Sequence, residues 1–374
     1  MEPYNTLTET DFTGVKYDFV EYYVGMAKMV VYWHVKALGF KVIAYCGPET
    51  GHPEKCSYYI TKNDIKIIIT SASQPSSYTI VSFVDLHGNG LKKIGINVNN
   101  VKEYFVNALE KGAIPIHFPT TISDQLGEVD MASLKIFDDN EIVLIDYKNY
   151  KGDFIPGYIN IENDWSLPAE DTELQKIDHI ACALRINEIK LWEDYFNNIL
   201  NSKTVKCFDE RQKDGQNKIG MLLKVLQSEN KTLNNVLVEP DQNKKTQVQL
   251  FIDENYGSGI QHIAFETSNI FATVEILKRN GVRFTSYPDA YYTNLSTKYP
   301  DLDVKLLKKH GVICDVIGES LLFQIFTSSI GDRSTFFYEI IQRVSNYEGF
   351  GLDNIRALFR ALEDELNLNK DEKA

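Results

Sequence analysis

Apolar and polar positions along this chain follow two periods, and the periods return in a repeated order. Lys16 to Tyr45, KYDFVEYYVGMAKMVVYWHVKALGFKVIAY, begins with two-residue alternation, continues with apolar residues three and four apart, and ends in alternation again. That pattern predicts a half-buried strand, an amphipathic helix rich in Trp and Tyr, and a second strand. Lys176 to Phe208, KIDHIACALRINEIKLWEDYFNNILNSKTVKCF, repeats it. A second pair, Leu91 to Ile116 and Ile260 to Thr285, predicts strand, helix and strand in each case. Its helices run into Lys111-Gly112 and Asn280-Gly281, and a glycine just past the last turn is a good helix stop. Ser133 to Tyr147 and Leu321 to Arg343 predict strand pairs that complete each half.

A pattern that recurs in this way marks a duplication, with two β-α-β-β-type units in each half. The junction falls near Gly152 to Thr172, which is rich in Gly, Pro and Asp and lacks periodicity. The expected division is an N-terminal domain over 1–155 and a C-terminal domain over 173–374. Arg356 to Leu366 predicts a final amphipathic helix with Leu358, Phe359 and Leu362 on one face.

Composition narrows the function classes. The 374 residues suit two domains, and 43% hydrophobic with 24% charged residues is ordinary for a globular protein. No window approaches the roughly 20 apolar residues of a membrane span. The start, MEPYNTLTETDF, has neither a basic nor an apolar segment of a signal peptide, so a cytoplasmic protein is expected. A net charge of -13 without a Lys/Arg cluster argues against nucleic acid as partner. The five cysteines are scattered and never in CxxC spacing, which argues against a disulfide framework or a Cys-ligated zinc.

Among seven histidines, two stand at corresponding places in the duplicated units of the second half: His179 in IDHIA and His262 in QHIAF. Both sit within apolar alternation, so both strands are half-buried and the rings lie on definite faces. The matching positions in the first half are Phe19 and Lys93, neither of which replaces a neutral imidazole. A metal site is therefore expected in the C-terminal half and none in the N-terminal half. Two histidines and a carboxylate make the facial triad of a non-haem Fe(II) centre, with positions left open for substrate and oxygen. Glu339, inside STFFYEIIQR, is the candidate carboxylate. A glutamate in such a strand is costly to bury unless paired or bound to a cation, so it either pairs with Arg333 or Arg343 or holds the metal. The two histidines favour the metal.

The motifs DHIA around His179, GSGIQHIAF around His262, PDAYY at Pro288 to Tyr292, LFQIFT at Leu322 to Thr327 and FFYEIIQR around Glu339 resemble those of the 4-hydroxyphenylpyruvate dioxygenase family, which includes the 4-hydroxymandelate synthases. The resemblance extends from Tyr17 to the NIRALFRALEDE segment at Asn354. It implies an α+β fold of tandem vicinal-oxygen-chelate (βαβββ) modules forming two open-barrel domains, the C-terminal one catalytic and closed by a lid helix that includes Asn354 to Phe359. It also implies Fe(II) as cofactor, with His179, His262 and Glu339 as ligands and catalytic residues. Leu223, Val236, Val238, Gln247, Gln261, Gln324, Phe326, Phe337, Asn354, Ile355 and Phe359 then bind the substrate. The implied partners are a small arylpyruvate and O2, and the implied assembly is a dimer or tetramer. In such a site the substrate's own 2-oxo acid chelates the iron and loses carbon dioxide, so no separate 2-oxo acid is needed.

Ring attack on 4-hydroxyphenylpyruvate gives homogentisate, and attack on the benzylic carbon gives 4-hydroxymandelate. The dioxygenase pattern Pro-x-Asn-Glu-Pro appears here as VLVEP, with Val236 and Val238, and its Gly-Asn-Phe appears as DNI, with Ile355 in place of the aromatic. Both departures resemble the synthase, so benzylic hydroxylation is expected. A serine common to the family is replaced by Leu223, which makes the pocket strand apolar and keeps phenylpyruvate open as a substrate. Two other classes on the same architecture, a non-catalytic binding protein and a Zn or Mn lyase or hydrolase, fit these motifs less well.

Overall fold

The computed structural model describes residues 14–165, 170–211, 220–242, 246–351 and 354–357. The first half forms a nine-stranded sheet. Its spatial order is Pro115–Asp124, Gly127–Ile136, Asn140–Asp146, Gly90–Asn97, Lys16–Tyr23, Ile65–Ala72, Lys55–Lys62, Lys41–Cys46 and the short Ile159–Asn160. The second half forms an eight-stranded sheet in the order Ile313–Ile317, Ser320–Phe326, Phe337–Val344, Gly259–Thr267, Leu174–Ala183, Asn234–Pro240, Met221–Ser228 and Ser202–Asp209. Apart from the short edge strand, the two orders are the same.

The register carries the duplication down to single residues. In the first half Lys93 lies opposite Glu21 and is paired in parallel with Glu141, next to Val143 two residues on. In the second half His262 lies opposite Ala181, and Ala264 two residues on faces Glu339. Phe19 and His179 each sit at a register shift in the antiparallel pair, a bulge that re-aims the side chain. The first-half counterparts of His179, His262 and Glu339 are thus Phe19, Lys93 and Val143. Helix starts repeat as well: the Asn100 side chain accepts from the Glu103 amide, and the Asn269 side chain from the Ala272 amide. Past the ends of these helices, Gly112 and Gly281 take φ of 91° and 88°.

One apolar core takes in residues of both halves. Phe40 packs near Phe265 at 6.3 Å between ring centroids, and the Tyr104 hydroxyl donates to the Ile199 carbonyl at 2.7 Å. At the same junction the neutral His34 ring donates from Nδ1 to the Val30 carbonyl and accepts from the Tyr338 hydroxyl, each at 2.8 Å.

Two segments depart from the sequence expectation. The strand expected at the end of Ile260–Thr285 is reduced to one bridge, Phe284 to Thr327. Its place at the sheet edge is taken by Ile313–Ile317, after two unforeseen helices, Asp289–Lys298 and Val304–His310. Pro288 explains part of this, because it cannot donate to a ladder and caps the helix that follows. The Gly-rich junction is also not a bare linker. Phe154 stacks on Tyr59 at 4.4 Å and meets Phe19 edge-on at 5.5 Å, plugging the inner face of the first sheet. Of the expected C-terminal helix, residues 354–357 are helical, while Leu358, Phe359 and Leu362 lie outside the described residues.

Candidate metal centre and pocket

His179, His262 and Glu339 stand on three adjacent strands of the second sheet. Because His262 lies opposite Ala181 and Glu339 beside Ala264, the three side chains meet on the inner face. The Glu339 Oε2 is 3.1 Å from His179 Nε2 and 3.4 Å from His262 Nε2. One ligand atom from each of the three lies within 4.8 Å of the others. N and O donors at about 2.1 Å from one metal in a facial arrangement stand about 3 Å apart, so the two Glu339–His spacings fit a metal, and a pair as wide as 4.8 Å would have to close toward about 3 Å on binding. The residues are 4%, 8% and 1% exposed, which removes water as a competitor for the carboxylate.

The chemistry of the donors points the same way. Neither arginine considered as a partner reaches Glu339. Arg333 donates to the carbonyls of Leu86, Asp85 and Glu254, and Arg343 grips Asp178. The buried carboxylate therefore faces two imidazoles. Burial alone would raise its pKa, but His179 and His262 hold it down at about 2. Burial opposes charge on His179, yet Glu339 and Asp178 more than offset that and raise its pKa to about 9. His262 is pushed down by burial and stays neutral. One proton on His179 thus stands where a divalent cation would supply the positive charge.

A second layer fixes the ligands. The His179 Nδ1–H donates to Asp178 Oδ1 at 2.8 Å, the usual way of aiming Nε2 at a metal. Burial opposes ionisation of Asp178, but the Arg343 fork and His179 keep it ionised. Gln324 Nε2 donates to Glu339 Oε1 at 2.6 Å, and Asn354 donates to the Gln324 side-chain Oε1 at 2.7 Å. Tyr291 donates to Asn354 at 3.2 Å and accepts from the Cys314 amide at 2.8 Å. Glu339 is left with one oxygen, Oε2, for the metal. His262 is held by stacking on Phe337, with centroids 4.7 Å apart, and its Nδ1 has no partner among the described residues.

The triad opens onto a cavity of about 40 Å³ lined also by Leu223, Val236, Val238, Gln247, Gln261, Gln324, Phe326, Phe337, Phe350 and Ile355. Nine of the expected substrate residues are thereby brought together around the triad. Asn354 does not line the cavity and acts on it through Gln324. Phe359 lies outside the described residues. Phe350, Asp178 and Tyr291 were not singled out from the sequence, and Arg343 was considered only as a partner for Glu339. A signal for Phe350 was present, since Asn346-Tyr347-Glu348-Gly349 resembles Asn149-Tyr150-Lys151-Gly152, with Phe350 directly after the first and Phe154 two residues after the second.

A duplicated pair of curled sheets with one His-His-Glu cluster defines a vicinal-oxygen-chelate protein. Residues 176–301 match the model of the Glyoxalase/Bleomycin resistance protein/Dioxygenase superfamily. The 4-hydroxyphenylpyruvate dioxygenase of Coccidioides posadasii is 32% identical over 93% of this chain and 92% of its own length. That of Yarrowia lipolytica is 32% identical over 93% and 91%. A substituted 4-hydroxymandelate synthase from Streptomyces coelicolor superposes with a TM-score of 0.82 at 25% identity, covering 94% of this chain and 98% of that one. The chain belongs to the 4-hydroxyphenylpyruvate dioxygenase family, and it is an enzyme of the dioxygenase class. Among the described residues no helix is long and apolar enough to cross a membrane.

Proposed function

We propose that this chain is an Fe(II)-dependent arylpyruvate dioxygenase that converts 4-hydroxyphenylpyruvate and O2 to 4-hydroxymandelate and CO2. The observation that carries the reading is the convergence of His179, His262 and Glu339 on a closed, largely apolar cavity. When bound, Fe(II) supplies the open coordination positions and the electrons that let dioxygen react with a 2-oxo acid.

The chain's own residues do the rest. Gln324 occupies Oε1 of Glu339, so Oε2 would be the carboxylate oxygen that holds a metal beside His179 and His262. Phe326, Phe337 and Phe350 give the aryl ring flat faces to lie against and keep water from the reacting carbon. Val236, Val238 and Ile355 decide the product in this reading. None of the three offers a polar tether or a broad stacking surface, so at these positions the ring would be free to tilt, which would favour attack at the benzylic carbon over the ring.

A second reading, ring attack to homogentisate, is favoured by the names of the curated relatives, which are 32% identical against 25% for the synthase. The apolar wall of Leu223, Val236 and Val238 keeps phenylpyruvate as an alternative substrate, since a hydroxyl buried against it without a partner costs about 1–3 kcal/mol, while Gln247 and Gln261 line the same cavity. Aerobic incubation with Fe(II) and each arylpyruvate, followed by chromatography, tests the proposal. 4-Hydroxymandelate is expected from 4-hydroxyphenylpyruvate; homogentisate as the main product overturns the benzylic assignment.

A further inference from the structure

The cavity at the triad is closed against its own substrate. Its volume of about 40 Å³ is well below the roughly 150 Å³ that accommodates a single benzene ring. On the outer side of the same wall lies an open cleft of about 700 Å³, lined by Lys176, Asp178, Arg343 and residues 346–350 among others. Phe350 lines both spaces. The segment following the strand Phe337–Val344 is thus, among the described residues, a strap between cleft and cavity, and moving it would open a way from the cleft to the triad.

Arg343 holds that strap shut. Its Nη1 donates to the carbonyls of Tyr347 at 3.1 Å and Gly349 at 2.7 Å, and its guanidinium lies 5.2 Å from the centre of the Phe350 ring. Its other edge grips Asp178 in a fork, Nε to Oδ2 at 2.7 Å and Nη2 to Oδ1 at 2.9 Å. The same Asp178 Oδ1 accepts from His179 Nδ1 at 2.8 Å. One carboxylate therefore serves both a triad histidine and the clamp on the strap. In the first half the corresponding residues are Asp18 and Tyr147, which hydrogen-bond to each other at 2.5 Å. There the histidine is replaced by Phe19, and the barrel is plugged by Phe154. The charged fork and its bonds to the strap occur in the half that carries the triad.

We propose that Asp178 and Arg343 are a positioning pair that couples metal loading to strap closure. A metal on His179 Nε2 fixes the ring and sets Nδ1–H on Asp178, which steadies Arg343 on the strap carbonyls. By linkage, a closed strap tightens the metal site by the same factor. The inference rests on the reading of the triad as a metal centre.

The test uses the full chain with Co(II) as the metal probe, read by competition with a chelator and by hydrogen–deuterium exchange of strap peptides over 345–351. In the wild type, Co(II) is expected to slow strap exchange. Arg343→Lys keeps the charge but loses the fork. It should bind Co(II) roughly 10–100-fold more weakly, the usual effect of losing an outer-shell partner, and Co(II) should no longer slow its strap. Asp178→Asn should do the same, and if that variant does not fold, Arg343→Lys decides alone. Wild-type Co(II) affinity in Arg343→Lys, or full metal-dependent protection of its strap, overturns the coupling while the metal centre stands. His262→Ala distinguishes the other failure: if it binds Co(II) as tightly as wild type, the metal centre itself is wrong and the coupling falls with it.

Discussion

Loading the metal centre should expel one proton, and His179 is its source. Without metal, Glu339 and Asp178 hold the His179 pKa at about 9, so near pH 7 the ring carries a proton on both nitrogens. A metal needs the Nε2 lone pair and must displace that proton. His262 is already neutral and Glu339 already ionised, so neither adds to the release. The sign follows directly. Protons compete with metal only below the metal-free pKa, so apparent affinity should climb about tenfold per pH unit from the neutral range up to about pH 9 and then level off. Near pH 7, about two units below that point, the site should bind on the order of 100-fold more weakly than its limit. Titration calorimetry with chelate-buffered Co(II), in buffers of different ionisation enthalpy, counts the protons released. About one is expected near pH 7 and close to none above pH 9. A flat affinity profile with no release near pH 7 would refute the charge assignment of the triad.

Three further outcomes are expected. His34 is fully buried and neutral, with a pKa pushed down by burial to about 4, so its unfolded form takes up a proton that the folded form refuses. The stability it contributes is present above pH 6.5 and is lost as pH falls toward 4, by about 3 kcal/mol, and urea melts of His34→Gln should lack that share of the acid loss. Ile355→Phe restores a flat face beside the cavity and should shift part of the product toward homogentisate, with Val238→Asn adding to it. A change of about 1.4 kcal/mol between competing barriers alters the chromatographic ratio tenfold. Gly351 sits at φ 65°, and an added Cβ would stand 2.5 Å from the Gln324 carbonyl oxygen. Gly351→Ala should therefore lower stability by at least about 1–2 kcal/mol, read as a fall in Tm, and should loosen Gln324 from Glu339.

The duplication was legible because a strand and a helix bury their apolar residues with different periods, and both periods recur in order. Matching His179 with Phe19 and His262 with Lys93 needed no more than that pattern, and the register places the pairs at equivalent points. What escaped was what periodicity does not encode. The helix Asp289–Lys298 buries only Tyr292 and Leu295 fully, so its apolar stripe is too thin to read. Ile313–Ile317 completes the sheet edge as the first arm of a tight hairpin with Ser320–Phe326, a pairing that the expected strand pair from Leu321 onward left out. Asp178 was visible as the neighbour of a histidine, but its grip on Arg343, 165 residues away, is a tertiary fact. The plug at Phe154 was hidden because glycine and proline signal an irregular path and say nothing of what the path covers.

The filled inner face of the first sheet restricts how this chain can change. On paper a second metal centre needs Phe19→His, Lys93→His and Val143→Glu, at positions the register already aligns with the triad. Each substitution meets packing that has hardened around its absence. The Phe19 ring lies over Gly95, where even a Cβ would stand 2.4 Å from it, and Phe154 covers the rest of the space. Lys93 is the 2.9 Å partner of buried Glu21, which would be stranded by its loss. Emptying such a core costs on the order of 3–5 kcal/mol for one large aromatic before any ligand can bind. The duplication therefore behaves as a ratchet: with one barrel filled by rings, each step toward a second metal centre costs stability before any ligand can offset it.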